Sequence, residues 1–249
     1  MRDYGPSTYG DRMADLYDEW VGWFGLPADT APTVELLAGL AGVGPVLELG
    51  IGTGRVALPL AERGLEVHGI DASAAMVARL RAKPGGERVS VTIGDFAEVE
   101  AEGCFSLVFV VFNTFFGLLT QENQLRCFAN VARRLGRDGV FVLEAFVPDL
   151  SRFTHGQTIE TKRVETDEVV IETSRHDPVE QRVTSASIVL GERGIRVFPV
   201  RVRYAWPSEL DLMARLAGLR LRERWSGWRR EPFTPTSTRH VSVYERAPR

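Results

Sequence analysis

The stretch VLELGIGTGR, residues 46–55, carries one acid, Glu48, in an apolar run and then three glycines at alternate positions. The apolar run predicts a strand, the glycines a tight loop, and the following GRVALPLAERG pattern a helix. In such a unit, backbone N–H groups and the positive end of the helix lie at the carboxyl edge of a parallel sheet. The stretch therefore predicts a ligand site at that edge.

Strands and helices alternate along the chain on both sides of this unit. The predicted strands are PVLELG, LEVHGID, RVSVTIGD, FSLVFVVF and GVFVLEAF, and helical patterns separate most of them. These strands are too continuously apolar for a sheet with one solvated face. We therefore expect an α/β fold with a doubly wound, mostly parallel sheet.

Two other segments depart from this alternation. From Tyr9 to Phe24 the apolar residues have helical spacing, which predicts an amphipathic helix that covers an apolar surface. Between residues 151 and 206, polar and apolar residues alternate in four segments, which predicts an antiparallel β insertion. The expected regions are 1–43 (N-terminal helices), 44–150 (α/β core), 151–206 (insertion) and 207–249 (closing helix and strands of the core).

Composition excludes several classes of function. The 30 basic and 33 acidic residues give a net charge of −3 without blocks of like charge, so we expect no nucleic-acid partner. No apolar run is long enough for a membrane span, and the N-terminus has no signal core. Two cysteines in mainly apolar stretches and four histidines show no metal-ligand spacing. We expect a cytoplasmic protein with no metal site.

Two common glycine motifs do not match the loop. A dinucleotide-binding loop has a third glycine at the position of Arg55, which disfavours NAD. A phosphate-binding P-loop ends in Gly-Lys-Ser/Thr, and this loop does not.

The loop instead resembles the first motif of class I S-adenosylmethionine-dependent methyltransferases, E-x-G-x-G-x-G. Two more acids fit that family, since Asp71 ends the second predicted strand and Asp95 follows the third. The resemblance implies a seven-stranded sheet, S-adenosyl-L-methionine as cofactor, Asp71 on the ribose hydroxyls and Asp95 on the adenine amino group. The cofactor residues that it implies are Tyr17, Glu48, Gly50, Gly52, Gly54, Asp71, Ala72, Met76, Asp95, Phe96 and Phe112.

Within that family the chain is similar to bacterial natural-product enzymes, in particular lincosamide and amino-sugar N-methyltransferases of antibiotic biosynthesis. The resemblance implies that the N-terminal helix is a lid, and Tyr9 and Tyr17 lie two turns apart on it. It implies that Tyr9, Tyr17 and Phe116 act at the catalytic centre. The expected substrate-binding residues are Tyr9, Asn113, Phe115, Phe116, Glu144 and His155.

The expected reaction is methyl transfer to an amine nitrogen of a small molecule. Such a transfer needs alignment and a dry site, and an aromatic pocket favours the neutral amine by desolvation. Methylation of a sugar or phenolic hydroxyl remains an alternative, with His155 or Glu144 as the base. A non-catalytic cofactor-binding module is a second alternative. The insertion either covers the substrate pocket or joins copies of the chain into a homo-oligomer.

Overall fold

The computed structural model describes residues 4–20, 30–192 and 194–248. The helices are α1 (Thr8–Met13), α2 (Tyr17–Trp20), α3 (Ala31–Ala41), α4 (Ala57–Glu62), α5 (Ala74–Arg81), α6 (Gln121–Arg134) and α7 (Pro207–Leu216). The strands are β1 (Val46–Leu49), β2 (Val67–Asp71), β3 (Ser90–Ile93), β4 (Phe105–Val110), β5 (Leu135–Phe146), β6 (Gln157–Val164), β7 (Glu168–Asp177), β8 (Arg182–Gly191), β9 (Gly194–Arg203), β10 (Leu219–Trp225) and β11 (Arg239–Arg246).

Seven strands form the central sheet in the order β10-β11-β5-β4-β1-β2-β3. Strands β1 to β5 pair in parallel, and β11 pairs antiparallel with both β5 and β10. The order runs outward from β1 in both directions, so the carboxyl ends of β1, β2 and β4 meet at one edge. This arrangement confirms the predicted doubly wound, mostly parallel sheet.

Both faces of the central sheet are buried, as β4 shows. Phe105 and Val108 pack into a core cluster that contains residues of α6 and α7. Leu107 and Phe109 pack into a second cluster that contains residues of α3, α4 and α5. Successive side chains of a strand point to opposite faces, so an uninterrupted apolar strand supplies both helical layers.

The four strands of the insertion form a separate antiparallel sheet in the order β6-β7-β8-β9. Arg203, at the end of β9, ties this sheet to the core. Its guanidinium donates to Gln124 Oε1 at 2.5 Å, Gln181 Oε1 at 2.9 Å and Glu209 Oε1 at 2.8 Å. These partners lie on α6, before β8 and on α7, so one buried cation joins three parts of the chain.

The N-terminal helix is broken where one helix from Tyr9 to Phe24 was predicted. Residues 14–16 form a turn between α1 and α2, and Val21 and Phe24 lie outside the described residues. The turn lets Asp15 pair with Arg79 and Asp18 with Lys83, two contacts to the region of α5.

We expect Arg203→Ala to lower the free energy of unfolding by about 3 kcal/mol, because it leaves the Glu209 carboxylate without its charged partner in a half-buried site. Arg220→Ala is the matched control, since Arg220 pairs with Glu245 at the surface with 54% of its side chain exposed. The control should change stability by less than about 0.5 kcal/mol. Urea denaturation measures both, and equal losses would contradict the assigned role of Arg203.

Candidate active site

The glycine loop follows β1 and has a backbone conformation that residues with a side chain rarely adopt. Gly50, Gly52 and Gly54 have φ angles of 72°, 55° and 81°. A Cβ on Gly50 would lie 2.4 Å from Thr114 Cγ2, whereas a Cβ on Gly52 would meet nothing within 4 Å. Gly50 is therefore required by packing, and Gly52 leaves open space beside the loop.

Asp71, at the end of β2, holds this loop in place. Its carboxylate accepts the backbone N–H groups of Gly52 at 2.7 Å and Ser73 at 2.8 Å. Burial raises the pKa of Asp71, although the two N–H groups oppose the shift. Each carboxylate oxygen accepts one of these bonds and keeps capacity for another donor from a ligand.

A cavity of about 760 Å³ opens at this edge of the sheet. Eleven of the predicted site residues line it: Tyr9, Tyr17, Gly50, Gly52, Asp71, Ala72, Met76, Asp95, Phe96, Phe112 and Asn113. The cavity thus joins the ends of β1, β2, β3 and β4 to the N-terminal helices, and Asp71, Asp95 and the Phe96 ring lie along this part of its wall. These groups fit the ribose hydroxyls and the adenine ring of S-adenosylmethionine.

Glu48 lies beside the cavity rather than in its wall. It lines a small adjoining pocket with Tyr17, Arg55 and Phe112. Its Oε2 is buried without a hydrogen-bond partner, and burial, followed by the charge of Asp71, raises the pKa of its carboxyl well above the usual range. An acceptor atom without a donor at this position fits an ammonium group, such as that of the methionine end of the cofactor.

Tyr9 and Tyr17 meet at the cavity with their rings edge to face, 6.5 Å apart. Burial raises the pKa of both phenols. Tyr17 also hydrogen-bonds Arg55, which opposes the shift in its pKa. The Arg55 guanidinium lies 4.6 Å from the centre of the Phe112 ring, so the glycine loop, α2 and the end of β4 are linked at this point.

Three acids of the N-terminal helices fasten them over the cavity. Asp11 accepts from Ser73 Oγ at 2.6 Å, and Asp15 pairs with Arg79. Asp18 accepts from Thr53 Oγ1 at 2.7 Å and pairs with Lys83 at 2.7 Å. Lys83 also donates to the Thr53 carbonyl at 2.9 Å, so Asp18, Lys83 and Thr53 form a closed set of contacts on the glycine loop.

Antiparallel strands supply the wall that faces the loop. The side chains that line the cavity from these strands are Glu172, Val183, Ser185, Ser187, Phe198, Val200 and Val202. Tyr4 also lines it and accepts the backbone N–H of Arg201 at 3.2 Å. This wall mixes hydroxyl and aliphatic groups, which suits an acceptor with both polar and apolar parts.

Besides Glu48, five predicted site residues lie outside the cavity wall. Gly54 packs behind the loop against Leu80 and Leu58. Phe115 and Phe116 are fully buried in the core, and Phe116 packs edge to face on Phe146, with ring centres 4.8 Å apart. Neither phenylalanine lines the cavity, and their assignment to the acceptor site stays a prediction.

The two predicted acid/base residues also lie elsewhere. Glu144 accepts the Phe112 N–H at 2.9 Å and the indole N–H of Trp228 at 3.1 Å, and it supports the wall from behind. His155 is exposed in the loop before β6 and has a φ of 49°. Neither residue lines the cavity, because Glu144 is buried against Phe112 and Trp228 and His155 is exposed to solvent.

None of the four histidines lines the cavity. His176 lies behind the wall, since its Nε2 is 3.0 Å from the hydroxyl of Tyr204, which lines the cavity. His240 is fully buried, and burial lowers its pKa to about 3. Within residues 4–20, 30–192 and 194–248, no three His, Cys, Asp or Glu side chains group as metal ligands. No helix in these ranges is long and apolar enough to cross a membrane.

Sequence reasoning missed Arg55, Asp18 and Tyr4. Arg55 directly follows the glycine loop, so the sequence alone could have indicated a cation beside the ligand site. Asp18 and Tyr4 carry no local signal, since their partners Lys83 and Arg201 lie 65 and 197 positions away.

Comparisons with known proteins agree with this geometry. A family model described as a methyltransferase domain matches residues 46–139. The cypemycin N-terminal methyltransferase of a Streptomyces species is 29% identical over 247 residues, which cover 97% of this chain and 98% of that protein.

Two solved structures are also similar. The CcbJ methyltransferase from Streptomyces caelestis is 45% identical with a TM-score of 0.93, and the match covers 98% of this chain and all (100%) of that one. CalS10 from Micromonospora echinaspora is a S-adenosylmethionine-bound amino pentose methyltransferase involved in calicheamicin biosynthesis. It is 22% identical with a TM-score of 0.68, over 93% of this chain and 97% of that one. The chain belongs to the class I S-adenosylmethionine-dependent methyltransferases, and S-adenosylmethionine is its cofactor.

Proposed function

We propose that this enzyme methylates an amine nitrogen of a small molecule in a bacterial specialised-metabolite pathway. Two relatives support the proposal by what they do, since one is a cypemycin N-terminal methyltransferase and another methylates an amino pentose in calicheamicin biosynthesis. The cavity volume of about 760 Å³ also lies in the range of small-molecule sites, about 300 to 1,000 Å³.

The observation that carries the choice of nitrogen is the lining of the cavity, which includes the phenols of Tyr9 and Tyr17 and no histidine. Because burial raises the pKa of Tyr9 and Tyr17, both hydroxyls remain protonated near neutral pH and act as hydrogen-bond donors or acceptors rather than as bases. No histidine faces the cavity. A neutral amine already carries a free lone pair, whereas an alcohol needs a base to remove its proton.

The residues of the chain position the reactants and keep the site dry. When bound, S-adenosylmethionine supplies a methyl group on a positively charged sulfur. Asp71 and Asp95 would hold its ribose and adenine, and Glu48 would hold its ammonium group. Tyr9 and Tyr17 would face the acceptor nitrogen, where their rings favour a cation that develops during transfer. The nitrogen then releases its proton to solvent, so no side chain has to act as a base.

We expect Asp71→Ala to weaken binding of S-adenosylhomocysteine by about 1 to 3 kcal/mol, because the ribose loses its acceptor and the Gly52 N–H loses its partner. Asp138→Ala is the control, since Asp138 is exposed near the start of β5, whereas the cavity lies at the opposite end of that strand, where Phe146 lines it. Isothermal calorimetry measures both affinities. An unchanged dissociation constant for Asp71→Ala would overturn the placement of the cofactor.

The pH dependence of kcat/KM should separate amine from hydroxyl acceptors. For an amine, kcat/KM should rise as the acceptor loses its proton and then stay level to about pH 10, because the raised pKa of Tyr9 and Tyr17 keeps both phenols protonated over that range. Tyr9→Phe should lower kcat about tenfold, because it removes roughly one hydrogen bond. The rising limb of the pH profile of kcat/KM should remain in this variant. Loss of that limb in Tyr9→Phe would identify Tyr9 as a base and contradict the proposal.

A further inference from the structure

Glu144 is a buried carboxylate in an otherwise apolar part of the sheet. It lies on β5 with 5% of its surface exposed, directly after Leu143, the last residue of β5 that pairs with β4. Val142, on the same face of β5, and Trp228, which contacts Glu144, both belong to a hydrophobic cluster. A buried carboxylate costs free energy that an apolar side chain of similar size does not, so packing alone does not call for an acid here.

The turn after β4 is the segment that Glu144 contacts. Phe112 and Asn113 have φ angles of 56° and 64°, in the left-handed region. Asparagine tolerates this conformation, whereas a bulky aromatic residue is strained in it. Glu144 Oε2 accepts the Phe112 N–H at 2.9 Å, and Asn113 Oδ1 accepts the Phe146 N–H at 2.7 Å. Two hydrogen bonds to β5 thus hold the turn, and Glu144 holds the strained residue of the two.

The Phe112 ring contributes to the small pocket that also contains Glu48. The Arg55 guanidinium lies 4.6 Å from the centre of this ring, and Arg55 in turn hydrogen-bonds Tyr17. All four side chains line the pocket. If the turn relaxed to a negative φ, the ring would move away from the guanidinium, and Arg55 would lose the surface on which it rests. The shape of the pocket therefore depends on the φ of Phe112.

We propose that Glu144 is a positioning residue for the methionine end of S-adenosylmethionine, because its carboxylate keeps Phe112 in the strained turn and so preserves the small pocket. The proposal rests on the placement of the cofactor ammonium group at Glu48 under the proposed function. Glu144 Oε2 makes the contact with Phe112, whereas Oε1 accepts the indole N–H of Trp228 at 3.1 Å. Trp228 lines neither the cavity nor the small pocket, so the two oxygens can be tested separately.

Isothermal calorimetry with S-adenosylhomocysteine tests the proposal on the full chain. Trp228→Phe removes only the second N–H donor, so this matched control should bind as tightly as the wild type. Adding Glu144→Gln to Trp228→Phe leaves an amide oxygen for the Phe112 N–H, and binding should again be unchanged. Adding Glu144→Leu instead removes that acceptor, and binding should weaken about tenfold. Both double variants lack the carboxylate charge, so they differ in the acceptor for Phe112.

Methylthioadenosine separates positioning from folding, because it has the ribose and adenine of the cofactor but no amino-acid end. It should bind the wild type and all three variants equally. If the Glu144→Leu variant also loses methylthioadenosine, Glu144→Asp replaces it in the Trp228→Phe background, since that carboxylate is one methylene shorter and withdraws from the Phe112 N–H. This variant should lose affinity for S-adenosylhomocysteine alone, and equal loss of both compounds would assign Glu144 to fold stability and overturn the proposal.

Two other results would contradict the role of Glu144. Equal affinity for S-adenosylhomocysteine in the Glu144→Gln and Glu144→Leu variants, at the level of the wild type, would show that the bond to Phe112 does not shape the pocket. Equal weakening in both would assign the effect to the lost charge beside Arg55. Glu48→Gln in the otherwise unchanged chain should weaken S-adenosylhomocysteine and spare methylthioadenosine. If Glu48→Gln changes neither affinity, the placement of the ammonium group is wrong, whatever the variants of Glu144 show.

Discussion

The close passage of the glycine loop past Thr114 is the constraint on which the site depends. Gly50 has no room for a side chain there, and the Ile70 carbonyl accepts the N–H groups of both Gly50 and Ile51. The backbone thus turns sharply across the end of β2 and brings the Gly52 N–H to Asp71. Because the loop lies flat against its neighbours, the ends of β1, β2 and β4 enclose one cavity rather than separate clefts.

The sequence predicted the fold and the meeting of the strand-end acids at one cavity, because both follow from local patterns. Alternating strands and helices determine a parallel sheet, and acids at successive strand ends such as Asp71 and Asp95 converge at one edge. The aromatic run after β4 was harder to interpret. Phe112 and Asn113 adopt positive φ angles of 56° and 64°, and this turn directs Phe115 and Phe116 into the core. Neither turn residue is glycine, so no glycine marks this reversal.

The N-terminal contacts could not be predicted for a different reason. Asp11, Asp15 and Asp18 have the spacing of a solvated helix face, and acids on such a face usually remain in water. Here each one meets a donor more than thirty positions away, on the glycine loop or near α5. Tertiary packing determines these pairs, and a pattern within one segment cannot identify a partner in another.

The two sides of the acceptor cavity therefore differ in how well they tolerate substitutions. The side formed by the strand ends is built from backbone turns and carboxylates that also hold the sheet edge together, so a substitution at Gly50 or Asp71 disturbs the fold and the cavity at once. The opposite wall consists of side chains such as Ser185 and Val200 on regular strands, whose backbone bonds do not depend on side-chain identity. An insertion of this kind can accept new side chains for a new acceptor while the glycine loop stays unchanged.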